Sequence, residues 1–530
     1  MIRLLILSGY FLALCAVNSH FAIAQYQAMN KIIPLRNTAV SADTAAVTTA
    51  ENEPLEECTI GAASGKATKD GRPMIWKTRD ASTGDNAVYL NTTYRYKFLA
   101  VIDAGSRKST WMALNEKGFA ILNSVAYDLS AGSSGMGNGT LMTFAAGTCA
   151  SVAEFKHLLD STNITKRSTA ANFVVMDSTG AAAIFETGGN QYWKFDAQDS
   201  LAYPKGYVLR TNFTFTGGGV VGLARFNRTT DLFKNFSAGD SITPKSILRY
   251  QMRDFADSTG VPYAIPFHGT VGGAPIGYIP IQETICRLSS VSATVIQGVL
   301  PKELARTSTF WVILGCPATG IAVPYWPVGE PPLNSADLPK SALNNISNDI
   351  FTKISGGTLW SNYINTQLLR DNNGGGLLRN LFQTEDGIFA AADTLLIGWR
   401  KGQYTAATML KAESTYAALA LNGLITAKNN ITGVFSAATL AAPSGFSLSQ
   451  NYPNPFNSST VIRFSVAERG MVTLAVYDLL GRKVETLINE EHAPGPYMAY
   501  WNAEGKASGV YFLMLRAGSS MITKRMVLQK

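Results

Sequence analysis

Short segments in which apolar and polar residues alternate recur between residue 58 and about residue 325. Gly, Asp-Gly and Asn signals separate these segments, a pattern that predicts packed antiparallel sheets. The clearest segments read AVYLNTTYRYKFLAVI, KGFAILNSVAY, ANFVVMDSTGAAAIFET, GYVLRTNFTF and STFWVILG. Helical periodicity interleaves with them in CASVAEFKHLLDS, in FNRTTDLFKNF and, beyond residue 340, through KAESTYAALALNGL. The pattern predicts an α+β protein.

The pattern changes towards the C-terminus. Residues 426–444, which are rich in Ser, Ala, Thr and Pro towards their end, are interpreted as a linker. Beyond them, five segments alternate with period two between ERG, LLGR and ASG turns: TVIRFSV, MVTLAVYDL, YMAYWNA, GVYFLMLRA and SMITKRMVL. Short strands at this spacing predict a small all-β domain over residues 445–530, of the immunoglobulin-like sandwich type.

The N-terminus has the pattern of an export signal over residues 1–24. Arg3 supplies a positive start, an apolar run follows to Val17, and Ala22-Ile23-Ala24 offers a small-residue cleavage site. Residues 25–57 are rich in Ala, Thr and acidic residues and lack periodicity, so they are interpreted as a propeptide. We therefore expect an exported protein whose ordered part begins at Cys58.

Composition narrows the functional classes. A chain of 530 residues is long enough for two or more domains. Its net charge of +8 is spread along the whole length without a basic block, which argues against a nucleic-acid partner. No segment after the signal has 18 consecutive apolar residues, so no transmembrane segment is expected.

Catalytic residue types are scarce. Only four histidines occur, and His20 lies in the signal and His492 in the C-terminal domain, which leaves His157 and His268 as candidate bases. No G-x-S-x-G, H-E-x-x-H or C-x-x-C motif is present. Four cysteines remain after the signal, too few for a disulfide scaffold: Cys58, Cys149, Cys286 and Cys316. Cys286 and Cys316 are candidates for a pair.

An N-terminal nucleophile would remove the need for a histidine. If the bond between Glu57 and Cys58 is cut, the new α-amine has a pKa of roughly 7.7 to 8.0 and can accept the thiol proton of its own residue. Base and nucleophile then belong to one residue. The position of Cys58, directly after an acidic propeptide, favours this function over that of a buried structural cysteine.

The segment CTIGAASGKATKDGRPMIWKTRDAS resembles the mature start of choloylglycine hydrolases, penicillin V acylases and enzymes like the acyl-coenzyme A:6-aminopenicillanate acyltransferase. LNEKGFAILNSVAYD, GYVLRTNFTF, GLARFNRTTDLF and CRLSSVSATVIQ are similar to further elements of that superfamily, in the same order. The resemblance implies an αββα four-layer N-terminal-nucleophile domain over residues 58–425. In WKTRD, either Lys77 or Arg79 corresponds to the family's cation.

The resemblance also implies roles for individual residues. Cys58 would attack the amide carbonyl, Asp80 would hold its α-amine, Asn212 would donate to the oxyanion, and Arg225 would lower the thiol pKa by its charge. Asn123, together with Lys77 or Arg79, is a further candidate for stabilising the oxyanion or binding the substrate. Each has a structural alternative: an ion pair for Asp80 and Arg79, a turn for Asn212, a helix surface for Arg225 and a strand end for Asn123.

The C-terminal region opens with NYPNPFN at residues 451–457, in which each proline restricts the preceding residue. Together with VYDLLGRKVETL and ASGVYFLMLRAG, it resembles the type IX secretion system sorting domain over residues 445–530. The alternative is an ordinary adhesive domain. The resemblance implies the type IX machinery as a partner and a location outside the cell or on its surface.

Taken together, these features predict a secreted cysteine hydrolase or acyltransferase that acts through a thioester on a small-molecule amide or peptide: a small peptide, an N-acyl amino acid or a β-lactam. Cleavage before Cys58 would activate it. The chemistry requires no cofactor or metal. Two alternatives stay open, namely a bile-salt or penicillin V amidase of the choloylglycine hydrolase type and a surface-displayed binding protein without catalysis.

Overall fold

A computed structural model describes residues 57–529 of the chain, except 257–259, 273, 338–339, 357–359, 372–374, 440–445, 449, 452–453, 457–458, 467, 493–494 and 504. The predicted signal and all of the predicted propeptide except Glu57 lie outside the described residues, as do parts of the NYPNPFN motif and of the predicted linker. The described residues divide into two compact units, one formed by those within the ranges 57–260, 283–348 and 384–422 and the other by those within 261–282, 349–383 and 423–529.

Strands dominate both units. Before residue 330 they are β1 Cys58–Ala63, β2 Met74–Asp80, β3 Asn86–Asn91, β4 Phe98–Asp103, β5 Met112–Asn115, β6 Ala120–Val125, β7 Ala171–Met176, β8 Ala182–Thr187, β9 Tyr192–Asp196, β10 Tyr207–Arg210, β11 Tyr278–Pro280, β12 Ser290–Gln297, β13 Thr309–Leu314 and β14 Val323–Tyr325. After it they are β15 Ser355–Gly356, β16 Trp360–Asn365, β17 Ser447–Leu448, β18 Ser459–Val466, β19 Gly470–Asp478, β20 Lys483–His492, β21 Gly495–Asn502, β22 Gly509–Ala517 and β23 Ser520–Leu528.

The described helices lie between and after these strands. They are α1 Asn138–Thr148, α2 Val152–Thr165, α3 Leu223–Ala238, α4 Pro244–Ser246, α5 Ala342–Ile354, α6 Thr366–Leu369, α7 Leu377–Trp399 and α8 Ala406–Thr439, with a π-helix at Ile247–Gln251 and a 3₁₀ turn at Ala305–Thr307. In this described part of the chain, none of the helices combines the length and the apolar character that crossing a bilayer demands.

Two antiparallel sheets build the first unit. Six of the described strands form the sheet that contains Cys58, in the order β10-β1-β2-β12-β13-β14. Strands β3 to β9 form a meander, in which each strand pairs with the next. Strands β1 and β2 contact β6 and β7 of the meander, so the two sheets pack face to face. The predicted mixture of sheets and helices is confirmed.

Helices cover the outer side of each sheet. Helices α1 and α2 pack on the meander through an apolar cluster that includes Phe119, Phe155 and Phe173. Ser151 begins α2 because its hydroxyl accepts the backbone N–H of Glu154 at 3.1 Å. Helix α3 contacts β10 of the sheet that contains Cys58.

The Trp76 side chain of β2 contacts both β1 and helix α3. The Trp76 ring of β2 lies over Gly61 of β1, where a Cβ atom would come within 2.1 Å of the ring. The Trp76 ring also stacks on Phe233 of α3, with 4.8 Å between centroids. Gly61 therefore leaves the space that this position of the Trp76 ring requires.

The C-terminal strands form two sheets in the second unit, β17-β18-β21 and β20-β19-β22-β23. They share an apolar cluster that includes Phe456, Ile462, Leu474, Trp501 and Leu513. The predicted all-β character of this region is confirmed. Strands β11, β16 and β15 form a further small sheet within this unit.

Helix α8 continues through residue 439, so the described beginning of the stretch interpreted as a linker is helical. The helix begins in AATMLKAESTYAALALNGL, which is rich in Ala and Leu and favours helix, and it continues into this stretch in spite of the Thr, Asn and Gly residues there. The boundaries at residues 58–425, 426–444 and 445–530 stay predictions.

Candidate active site

Strand β1 places the candidate nucleophile inside the protein. Cys58 is buried and lies opposite Arg79 in the antiparallel register of β1 and β2. The backbone pairing extends one residue further, because the Asp80 N–H donates to the Glu57 carbonyl oxygen at 2.9 Å. The carbonyl of the Glu57–Cys58 peptide bond is thus held by the end of β2.

The nitrogen of the same peptide bond is held from the other side. The Cys58 N–H donates to Asn212 Oδ1 at 2.8 Å, and Asn212 Nδ2 donates to the Val125 carbonyl at 3.0 Å. In this arrangement, Asn212 presents its oxygen, not its amide N–H, to the Glu57–Cys58 junction. Its predicted role as an oxyanion donor stays a prediction.

Arg225, at the start of α3, connects these groups. Its side chain is fully buried, and Nη1 donates to the Cys58 carbonyl at 2.8 Å and to Thr59 Oγ1 at 3.1 Å. Nη2 donates to Asn212 Oδ1 at 3.1 Å and forms an ion pair with the Glu57 carboxylate. Arg225 is therefore not a surface residue of a helix start.

The loop that carries Asn212 is fixed by buried polar groups. Asn172 Nδ2 donates to the carbonyls of Thr211 at 3.1 Å and Phe213 at 3.2 Å, on both sides of Asn212. Just before the loop, Arg210 pairs with the buried Glu186 at 2.6 Å. Such networks, once satisfied, hold a side chain in one position.

Asp80 lies in a buried, charged environment. Burial raises the pKa of its carboxyl to about 6, although the charges of Arg225 and Arg287 and a hydrogen bond from Ser290 pull in the opposite direction. Ser290 Oγ donates to Oδ1 at 2.6 Å. Among the described residues, none donates a hydrogen bond to the buried Oδ2, which leaves an acceptor available for a further donor.

Sequence reasoning did not identify three residues of this site: Glu57, Arg287 and Ser290. Arg287 Nη1 lies 2.5 Å from Glu57 Oε2. Arg287 and Ser290 belong to the segment CRLSS, whose last residue, Ser290, begins β12, the strand that pairs with β2. The resemblance of CRLSSVSATVIQ to a family element assigns no role to these polar residues, and their polar character is the only signal in the sequence.

Lys77 and Arg79 lie on the side of β2 that faces the meander, and Asn123 belongs to β6 of the meander. Lys77 Nζ donates to Asn123 Oδ1 at 2.8 Å, so these two candidates are in contact. Arg79 instead donates a hydrogen bond from Nη1 to Asn86 Oδ1 at 2.6 Å, and its Nη2 forms an ion pair with Asp103 at 2.9 Å. Asp80, next in sequence, lies among Arg225 and Arg287.

The remaining histidine and cysteine candidates lie outside this group of contacts. His157 is exposed on α2 and lies 3.8 Å from Asp160. Cys286 and Cys316 are both buried, with their sulfur atoms 3.7 Å apart and unbridged. The pairing of Cys286 with Cys316 stays a prediction.

Gly222 offers a test of how tightly Arg225 is positioned. Its φ is +78°, and a Cβ atom would lie 2.5 Å from Arg225 Nη2 and 2.9 Å from Thr211 Oγ1. Gly222→Ala is therefore expected to displace the guanidinium and lower activity by roughly tenfold or more, since small misplacements at a reacting centre have large effects. Steady-state kinetics measures the loss of activity, and thermal melting measures the accompanying loss of stability.

The matched control is Gly105→Ala. Gly105 has a φ of +83°, with no atom within 4 Å of the added Cβ among the described residues. Both variants should lose about 1 to 2 kcal/mol of stability to backbone strain, but only Gly222→Ala should lose activity. Equal activity in the two variants would show that the position of Arg225 does not matter.

Solved structures with similar folds include two variants of a conjugated bile acid hydrolase from Clostridium perfringens. They are 13% and 14% identical to this chain, with TM-scores of 0.30 and 0.31, and each match covers 48% of this chain and 89% of the hydrolase. Penicillin V acylase from Agrobacterium tumefaciens is 16% identical, with a TM-score of 0.33, and the match covers 51% of this chain and 86% of the acylase. Likeness at this level carries no information on chemistry or substrate.

No curated protein matches the chain significantly. A family model does match the C-terminal region: residues 450–529 fit the family described as "Secretion system C-terminal sorting domain". The sorting domain predicted from NYPNPFN and the following strands is therefore confirmed, and with it the predicted export by the type IX route to the cell surface or beyond.

Proposed function

We propose that this chain is an exported cysteine amidohydrolase of the N-terminal-nucleophile type, activated by cleavage between Glu57 and Cys58. One observation carries the proposal: separate groups hold the two sides of that peptide bond. Asp80 N–H binds the Glu57 carbonyl at 2.9 Å and Asn212 Oδ1 binds the Cys58 nitrogen at 2.8 Å. Strand pairing alone can supply the first contact, but a structural cysteine at a strand end requires no side chain such as Asn212 on its nitrogen.

Activation would begin with attack of the Cys58 sulfur on the Glu57 carbonyl carbon. The Asp80 N–H, which donates to the Glu57 carbonyl oxygen, would stabilise the oxyanion that forms there. The C–N bond then breaks, the nitrogen of Cys58 takes a proton, and Glu57 is left as a thioester on sulfur. Water hydrolyses the thioester, which releases the propeptide carboxylate and restores the thiol beside a new α-amine.

The same groups would serve turnover of a substrate. The α-amine takes the thiol proton, the thiolate attacks an acyl-amide carbonyl, and the leaving amine departs with that proton. Asp80 Oδ2 would accept a hydrogen bond from the α-ammonium, while Asn212 and Arg225 keep the nitrogen and the carbonyl of Cys58 in position. Lys77, on the other face of β2 from Asp80, and its partner Asn123 in β6 are proposed to help stabilise the oxyanion.

Water at the thioester makes the protein a hydrolase, whereas an amine in the same place makes it an acyltransferase. We propose hydrolysis as the basal reaction, because water needs no second binding site.

The architecture is part of the proposal. The two packed sheets and their outer helices support an αββα domain, and the two C-terminal sheets around one apolar cluster support an immunoglobulin-like sandwich.

The rate of self-cleavage is expected to depend on the charge of Asp80. In the precursor the nitrogen of Cys58 is an amide and cannot accept the thiol proton, so a different base is required. We propose Asp80 as this base. Because the pKa of its carboxyl is about 6, Asp80 can accept a proton only above that pH. The rate should rise about tenfold per pH unit below pH 6 and level off above it, as followed by gel or mass after a pH jump.

Asp80→Asn should slow self-cleavage strongly and remove this pH dependence. The control is Asp177→Asn at the end of β7, where another buried aspartate accepts the Val152 N–H at 2.8 Å. That variant should keep the wild-type profile. An unchanged profile in Asp80→Asn would eliminate Asp80 as the base.

A direct test of the proposed function uses the processed protein with a panel of acyl amides and active acyl esters. We expect release of the amine and a transient mass increase, equal to the acyl group, on the peptide that begins with Cys58. Hydroxylamine should remove that mass, because it cleaves thioesters. Turnover without an acyl group on Cys58 would refute the mechanism.

A further inference from the structure

The carboxylate of Glu57 occupies a site built from two arginines. Its Oε2 is paired with Arg225 Nη2 and lies 2.5 Å from Arg287 Nη1. The Arg225 side chain is fully buried and that of Arg287 is only 10% exposed. Two buried guanidinium groups thus share one carboxylate oxygen, and we call this pair the arginine clamp.

Cleavage before Cys58 removes that carboxylate. The clamp then keeps Asp80 as its buried anionic neighbour, while the new α-ammonium of Cys58 adds a positive charge. Glu283 lies 3.9 Å from Arg287, but its side chain is 60% exposed and therefore largely screened by water. Buried positive charges without enough counter-charge are costly, so the processed site favours an incoming anion.

The position of that anion follows from the chemistry of cleavage. In self-cleavage the acyl carbon that reacts with sulfur is the carbonyl carbon of Glu57. A substrate must bring its own acyl carbon to the same sulfur. The Glu57 side chain therefore marks the space beyond the acyl carbon, and its carboxylate is separated from that carbon by three carbon atoms.

We propose that the arginine clamp is a carboxylate subsite that selects acyl groups with a carboxylate three carbons beyond the scissile carbonyl, as in glutaryl and α-glutamyl amides. This inference rests on the function proposed above and adds its substrate class. Arg225 and Arg287 each donate to the carboxylate, and such charge-assisted bonds discriminate strongly against a neutral group of the same shape.

Three anilides that differ at one terminal group test the subsite: glutaryl, 5-amino-5-oxopentanoyl and hexanoyl. Wild type should have a kcat/KM for the glutaryl anilide at least about tenfold above both neutral anilides, the range expected when a hydrogen-bonded charge is lost. Arg287→Met should abolish that preference, so that the three anilides have similar kcat/KM values, and Arg287→Lys should restore part of it. Arg306→Met, at an exposed arginine, should behave as wild type.

A binding measurement separates this inference from the proposed function. By calorimetry, the processed protein should bind glutarate more tightly than pentanoate, whereas uncleaved Cys58→Ala, in which Glu57 fills the clamp, should bind neither. Selective glutarate binding without turnover of any anilide would refute the hydrolase and keep the subsite. Turnover of the neutral anilides at rates equal to the glutaryl anilide, with no effect of Arg287→Met on the ratio, would refute the subsite and keep the hydrolase.

Discussion

Cys58→Ala is expected to lower kcat/KM for any acyl-amide substrate at least about 10³-fold, because loss of a nucleophile leaves only the contributions of binding and of the oxyanion donors. The backbone contacts at this position involve the nitrogen and carbonyl of Cys58, which alanine retains. The variant should therefore fold normally, as circular dichroism and thermal melting would establish.

The control for this substitution is Cys149→Ala. Cys149 is buried in the apolar cluster under α1 and α2, and burial raises the pKa of its thiol to about 11, so that little thiolate exists at neutral pH. This variant should keep full activity and full labelling of the active-site thiol. Activity in Cys58→Ala comparable with that of Cys149→Ala would contradict the assignment of the nucleophile.

Arg225→Met is expected to have the second-largest effect, a loss of about 10²-fold or more in kcat/KM. Arg225 fixes the carbonyl of Cys58, the amide oxygen of Asn212 and the Glu57 carboxylate, so its loss displaces both ends of the junction. Self-cleavage should slow as well, since Glu57 loses one of its two cationic partners.

One turn further along α3, Arg228 provides a matched control. It pairs with Asp254 at 2.6 Å, away from the contacts of Cys58. Arg228→Met should lower the free energy of unfolding by about 1 to 3 kcal/mol, because a largely buried carboxylate loses its partner, yet leave kcat unchanged. The opposite result, a loss of kcat in Arg228→Met and not in Arg225→Met, would refute the role given to Arg225.

Features that depend on local sequence were predictable. The alternation in ANFVVM and KGFAIL predicted strands that the structure contains as β7 and β6, because one side of each strand packs against an apolar layer. Cys58, Asn212 and Arg225 were found from motifs, and the fold brings them into hydrogen-bonding contact.

Features that depend on tertiary contacts were not predictable. Arg287 is 230 residues from Glu57 in the chain, and the two meet only because β12 pairs with β2. WKTRD left Lys77 and Arg79 as alternatives, and both point to the meander, so sequence alternation alone could not separate them. Their different partners, Asn123 for Lys77 and Asp103 for Arg79, come from other strands.

The central claim is that Cys58 frees its own α-amine by cutting the bond after Glu57. The most direct test is the N-terminal sequence and intact mass of the chain purified without its signal, for wild type and Cys58→Ala side by side. The account predicts a wild-type protein that begins at Cys58 and a variant that retains the propeptide. If wild type also keeps residues 25–57 under all conditions of pH, self-cleavage is contradicted.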